Sequence, residues 1–242
     1  MLPLATDWAT ISSLATAGGT LVLAIATFAS VRSAHRSARI AEIALQEQRQ
    51  PVLAPSRMDD PAQKLMFYEG RWVRADGGRG VVERDGDRIY LAISLRNVGA
   101  GIGVCQGWFV SPTLRTTGRA PTHAPEADFR LQTRDLYIPA GDVGMWQGAL
   151  RDPNDETFIG VAEAIDSGEP ISIELLYSDQ VGEQRTISRF GLIPVGEGDW
   201  LASVHRHWFL DRPGPRSERD ALTAAEAILH EIHGSDSPAV RK

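Results

Sequence analysis

The chain has 242 residues, 43% hydrophobic and 23% charged, with one cysteine and a formal net charge of −6. This composition fits one mid-sized domain or two small ones, and it excludes a disordered chain, a collagen-like fibre and a disulfide-stapled mini-protein. The acidic balance excludes a globally basic nucleic-acid binder, so no nucleic-acid partner is expected.

The N-terminus departs most from that average. Between Asp7 and Arg32 lie 24 uncharged residues, Trp8 to Val31. As a helix they span roughly 36 Å, enough to cross a hydrocarbon core of about 30 Å. Leu14, Leu21, Val22, Leu23, Ile25 and Phe28 supply hydrophobicity, and Trp8 stands at the end where an indole favours the headgroup region. A buried soluble helix is the bland alternative, but a run this long and apolar all round is hard to bury in so small a protein. A cleaved signal peptide needs a basic leader and a shorter apolar core, and residues 1–7 hold no Lys or Arg. Arg32, Arg36 and Arg39 follow the span at once, so residues 32–242 are expected in the cytoplasm and 1–7 outside.

Residues 32–50 read as a helical stalk. Val31, Ala34, Ala38, Ala41 and Leu45 recur at alternating spacings of three and four, a coiled-coil seam, and Pro51 disfavours helical geometry at Gln50. Small residues four apart (Ser12, Thr16, Thr20 and Ala24; Ala15 and Gly19) let membrane helices approach closely. Span and seam together suggest a homodimer. The seam is short and alanine-rich, however, and suits docking on the chain's own domain equally well.

From residue 51 to 210 the period becomes alternating. Strands are expected over Leu65–Val73, at Val81-Val82, and over Ile89–Leu95, Val104–Val110, Phe129–Ile138, Val143–Leu150, Ile171–Tyr177, Thr186–Ile193 and Leu201–Leu210. One helix is expected near Thr157–Ile165. Seven to nine short strands with frequent turns argue for an antiparallel β-sandwich, so the fold class is mainly β; Asn97-Val98-Gly99 with its following glycine resembles a turn common in immunoglobulin-like sandwiches, and that resemblance implies a sandwich of this kind. Residues 211–242 then read as a linker, Arg212-Pro-Gly-Pro215, and a short amphipathic helix with Leu222, Ala225, Ile228, Leu229 and Ile232 on one face.

Candidate chemistry is sparse. Gly99, Gly101 and Gly103 lack the spacing and the following helix of a dinucleotide loop, and read as a bulged turn. His205 and His207 share a face of an expected strand, and His230 and His233 a face of the last helix, but no zinc spacing results. Asp152, Asn154, Asp155 and Glu156 lack the glycine and distal glutamate of a calcium loop. Cys105 lies inside a strand pattern and reads as a buried thiol, and no serine nucleophile motif occurs. No catalytic, cofactor-binding or metal-ligating residue is therefore assigned, and no cofactor is expected.

The run Trp8–Thr20, the arginines between Arg32 and Arg39 and Pro51-Val-Leu53 resemble uncharacterised bacterial one-pass membrane proteins. That resemblance implies a short outside tail, a span, a helical stalk and a cytosolic β-sandwich domain, and no activity. The function expected is a membrane-tethered, non-catalytic interaction module with the lipid bilayer and a further protein as partners. The alternative is a small-ligand sensor or enzyme with its pocket in the sandwich.

Overall fold

A computed structural model describes residues 8–211 apart from 117, 119 and 197. The expected outside tail (residues 1–7) and the expected linker and C-terminal helix, with His230 and His233, fall outside the described residues. Two compact units result, residues 1–47 and residues 48–242.

The first unit is one uninterrupted helix, α1 (Trp8–Gln48), about 60 Å long at the helical rise. It is long and apolar enough to cross a membrane. Every described side chain from 12 to 45 is exposed, including Leu14, Leu21, Leu23, Ile25 and Phe28. Such a surface is stable only against lipid or other apolar groups. The Thr16 and Thr20 hydroxyls donate back to the carbonyls of Ser12 and Thr16, which suits a lipid-facing helix because these two donors are satisfied within it.

The helix stops two residues before the expected Gln50. Gln50 is instead part of the second unit, where its carbonyl accepts the Ala100 and Gly101 amides and its side-chain amide donates to Thr186 Oγ1 at 2.9 Å. Arg49 pairs with Glu183 at 2.9 Å. The Gly99–Gly103 loop owes its glycines to this segment. A Cβ at Gly101 would sit 1.9 Å from the Arg49 carbonyl oxygen, and one at Gly99 2.4 Å from that of Gln50.

The second unit is mainly β and antiparallel throughout. Its strands are β1 (Leu53–Pro55), β2 (Gln63–Met66), β3 (Trp72–Ala75), β4 (Arg79–Asp85), β5 (Arg88–Asn97) and β6 (Gly103–Ser111). There follow β7 (Arg130–Ile138), β8 (Val143–Leu150), β9 (Ile171–Ser178), β10 (Thr186–Gly196) and β11 (Asp199–Phe209), with helix α2 (Glu156–Asp166) between β8 and β9. The strands from β4 to β11 lie in the order β8-β5-β4-β11-β10-β9-β6-β7, and β1 extends the edge beside β5. The sheet curls, so its end strands β7 and β8 come side by side, joined at one end by their hairpin turn. They are not laddered to each other.

One core fills the curl: Leu91, Ile93, Trp146, Ile173, Leu175 and Phe190, with Phe158 and Val161 of α2. A second small cluster forms where the β2–β3 hairpin covers the outer face of β5 and buries Tyr90 and Ala92 under Phe67 and Val73. With both faces covered, β5 is apolar at every position from Ile89 to Ile93 rather than at alternate ones. The stretch Leu65–Val73, expected as one strand, is this hairpin. Its turn is closed by Gly70 at φ 80°, with Phe67 and Arg71 bonded across it.

Candidate functional site

The seam between β7 and β8 is the most distinctive feature of the β unit. On its other edge β7 pairs with β6 as far as Leu136 opposite Cys105, and pairing resumes only at Leu131 opposite Gly107. The intervening residues of β7 loop out of the ladder. β8 is paired with β5 along its whole length. Between these two strands a side chain stands in for a backbone ladder. Gln132 donates to the Gln147 carbonyl at 3.3 Å and accepts from the Trp146 indole at 3.2 Å.

Beyond Gln132 the strands splay into a cleft of about 580 Å³, completed by the tip of the β2–β3 hairpin. Trp108, Gln147 and Gly148 line its inner part. Gly148 is required there, because a Cβ would stand 2.8 Å from the Trp146 ring and 3.0 Å from that of Trp108. The two indoles meet edge to face with centroids 5.6 Å apart. Tyr68 and Leu131 stand at the rim, 91% and 82% exposed.

Three arginines face the cleft, and among the described residues no carboxylate, histidine or cysteine lines it. Arg130 lies over the Trp108 ring at 5.7 Å and pairs with Asp155, which also caps α2 through the Thr157 amide. Arg151 is held by Glu69. Hydrogen bonds from these arginines lower the carboxyl pKa values of Asp155 and Glu69. Arg134 donates to the Met66 carbonyl at 3.3 Å. Acceptors gather deeper in: the Gln147 and Ala149 carbonyls are met by side-chain donors, and Gln147 Oε1 is buried with no hydrogen-bond partner. Donors thus stand at the rim, and among the described acceptors of the cleft Gln147 Oε1 is the one left without a partner.

The residues weighed from sequence are not brought into this cleft. Cys105 is buried in the core, and desolvation pushes its thiol up to about 12. Asp152 and Asp155 order the turn and cap ahead of α2, a more definite role than a solvated loop. The two strand histidines do not share partners. A bulge sets Arg206 opposite Arg189 but Val204 opposite Phe190, so strict alternation fails at His205. His205 Nε2 lies 3.1 Å from Ser203 Oγ, and burial, aided by the Arg189 charge, holds its pKa low. His207 Nδ1 lies 2.6 Å from Ser188 Oγ, which in turn meets the Tyr177 hydroxyl at 2.7 Å. Ser188 is fully buried, so this Ser–His contact braces strands rather than presenting a nucleophile. Among the described residues no group of three or more His, Cys, Asp or Glu side chains is placed to hold a metal ion.

One buried charge cluster has no counterpart in the sequence reading. Glu174 and Arg189 face each other across β9 and β10 with no exposure, 2.8 Å apart, and Arg115 joins at 3.2 Å. Arg189 also donates to the carbonyls of Ala120 and Thr122, and the Ala124 amide donates to Glu174. The pair therefore straps the long β6–β7 connection onto the sheet. No family model, curated protein or solved structure matches the chain.

Proposed function

We propose that this protein is a membrane-tethered interaction module, with α1 in the bilayer and the β unit offered to a partner through the β7–β8 cleft. The observation that carries the reading is the pairing of two features in one chain. One is a long helix whose apolar side chains are all exposed; the other is a β unit with an open cleft of arginine and aromatic groups. Arg32, Arg36 and Arg39 support a single-pass, plasma-membrane orientation with the β unit in the cytoplasm. The immunoglobulin-like sandwich belongs to the proposal on the strength of the all-antiparallel pairing alone, since the nine strands form one continuous curled sheet around the main core. The kinship proposed is with bacterial one-pass proteins of helical stalk and cytosolic β domain. Homodimerisation through the Ala15/Gly19 row and the Ala34–Leu45 coiled-coil seam belongs to the same proposal.

A small-ligand sensor is the competing reading, and the cleft's volume favours it, since ligand sites run from roughly 300 to 1,000 Å³. The open seam and exposed rim favour a macromolecular partner instead. Affinity purification of the full chain from detergent extracts tests the choice. A stoichiometric protein partner lost on Leu131→Glu supports the module; recovery of the chain alone, or of a bound metabolite, contradicts it.

A further inference from the structure

We propose that the β7–β8 cleft takes an extended, acidic segment of the partner protein as an added strand. This rests on the interaction-module reading and specifies the chemistry of its partner.

Four observations converge on that occupant. The strand edges facing the cleft are unlaced, and an incoming strand finds the Gln147 and Ala149 carbonyls there with side-chain donors only weakly seated, at 3.3 and 3.4 Å. Gln147 Oε1, buried and without a hydrogen-bond partner, calls for a further N–H. A peptide main chain supplies such donors on one edge at alternate residues, about 6.8 Å apart. The rim asks for the opposite charge. Arg130 and Arg151 face the cleft while each is shared with one carboxylate outside its lining, Asp155 and Glu69, and Arg134, which donates to the Met66 carbonyl, adds a third guanidinium in a chain that is acidic overall. Tyr68 and Leu131, almost fully exposed, offer apolar contact to an aromatic or aliphatic side chain between the carboxylates.

A lipid phosphate satisfies the arginines but brings no N–H for the acceptors on the floor. Floor and rim together select a peptide. On entry the strand displaces the Gln132 side chain, which already occupies a strand's place between Trp146 and Gln147.

The test uses full-length protein in detergent micelles and a fluorescent probe peptide of alternating glutamate and valine around one tyrosine, followed by anisotropy. Saturable binding is expected, weakened tenfold or more by Arg134→Ala and by Leu131→Glu. Both residues are exposed, so the fold is not at stake. A twin peptide with N-methylated amides keeps the charges and loses the donors, and should not bind. Equal binding of the twin, or no binding of the probe to folded protein, overturns the added strand. So does Arg134-dependent binding to phosphatidylglycerol vesicles in place of the peptide. A photo-crosslinker in cells separates this failure from that of the module itself. Adducts at Leu131 support the cleft, whereas adducts at the exposed Ile159 of α2 alone reject the cleft and leave the module standing.

Discussion

Replacing Glu174 by alanine removes the carboxylate that, among the described residues, pairs with Arg189, a guanidinium with no exposure. Desolvation already opposes the charged form of Arg189 and lowers its pKa, and Glu174 is the main group that offsets it. An uncompensated buried charge costs about 3–5 kcal/mol. The Ala124 amide and Arg115 lose their acceptor as well. For a unit of this size each kcal/mol moves Tm by about 2–4 °C, so Glu174→Ala should lower Tm by roughly 6–20 °C. Tryptophan emission during heating of the full chain reports it, because Arg189 lies 4.7 Å from the Trp208 ring. Adding Arg189→Leu should restore only part of the loss. It relieves the bare charge but orphans the carbonyls of Ala120 and Thr122, each costing about 1–3 kcal/mol where water cannot reach. A Tm within about 2 °C of wild type for Glu174→Ala would refute the reasoning, since it would mean the strap is not held by this pair.

Gly101→Ala should destabilise the β unit by about 1–3 kcal/mol, because its Cβ meets main-chain atoms of Arg49 that cannot rotate away; urea unfolding measures it, with Gly86→Ala, which faces open space, as a comparison for backbone strain alone. Hydrogen bonds from Arg96, Arg151 and Arg130 lower the carboxyl pKa values of Asp60, Glu69 and Asp155 in the folded chain. Their contribution is present above the unfolded pKa near 4 and is lost as pH falls through the lower folded values, so stability should decline below about pH 4, and Asp60→Asn should flatten that decline. Gly19→Leu keeps α1 apolar while blocking close helix approach, and Leu45→Glu charges the seam; cross-linking in membranes should show less dimer for both, and a dimer indifferent to both contradicts the proposed face.

Local chemistry was legible in the sequence wherever it alone decides structure. Val143–Leu150 is β8 to the residue, the Ser178–Glu183 loop joins the β9–β10 hairpin, and the helix near Thr157–Ile165 is α2 with its Asp155 cap. The Leu65–Val73 turn was masked by its aromatics, of which Phe67 packs on β5 while Tyr68 and Trp72 stand exposed, so β-propensity and turn chemistry pointed in different directions. The cleft was not legible. Arg130, Arg134 and Arg151 form no motif along the chain, and they meet only because the strand order brings β7 beside β8 while a bulge pushes β7 out. The Glu174–Arg189 pair left only a partial trace, one charge in each of two apolar runs. Register drawn about the expected Ser178–Glu183 loop sets Glu174 opposite Ile187, and the pair meets because strand pairing begins later, at Tyr177 opposite Thr186.

The account stands first on α1 crossing the membrane with the β unit in the cytoplasm. Paired reporter fusions after Gln50 test this most directly, one partner being alkaline phosphatase, active only after export, and the other a green fluorescent protein, fluorescent only in the cytoplasm. The arginines at 32, 36 and 39 predict fluorescence without phosphatase activity, in a fraction that resists carbonate extraction. Phosphatase activity at that junction, or release of the fusion by carbonate, would contradict the account.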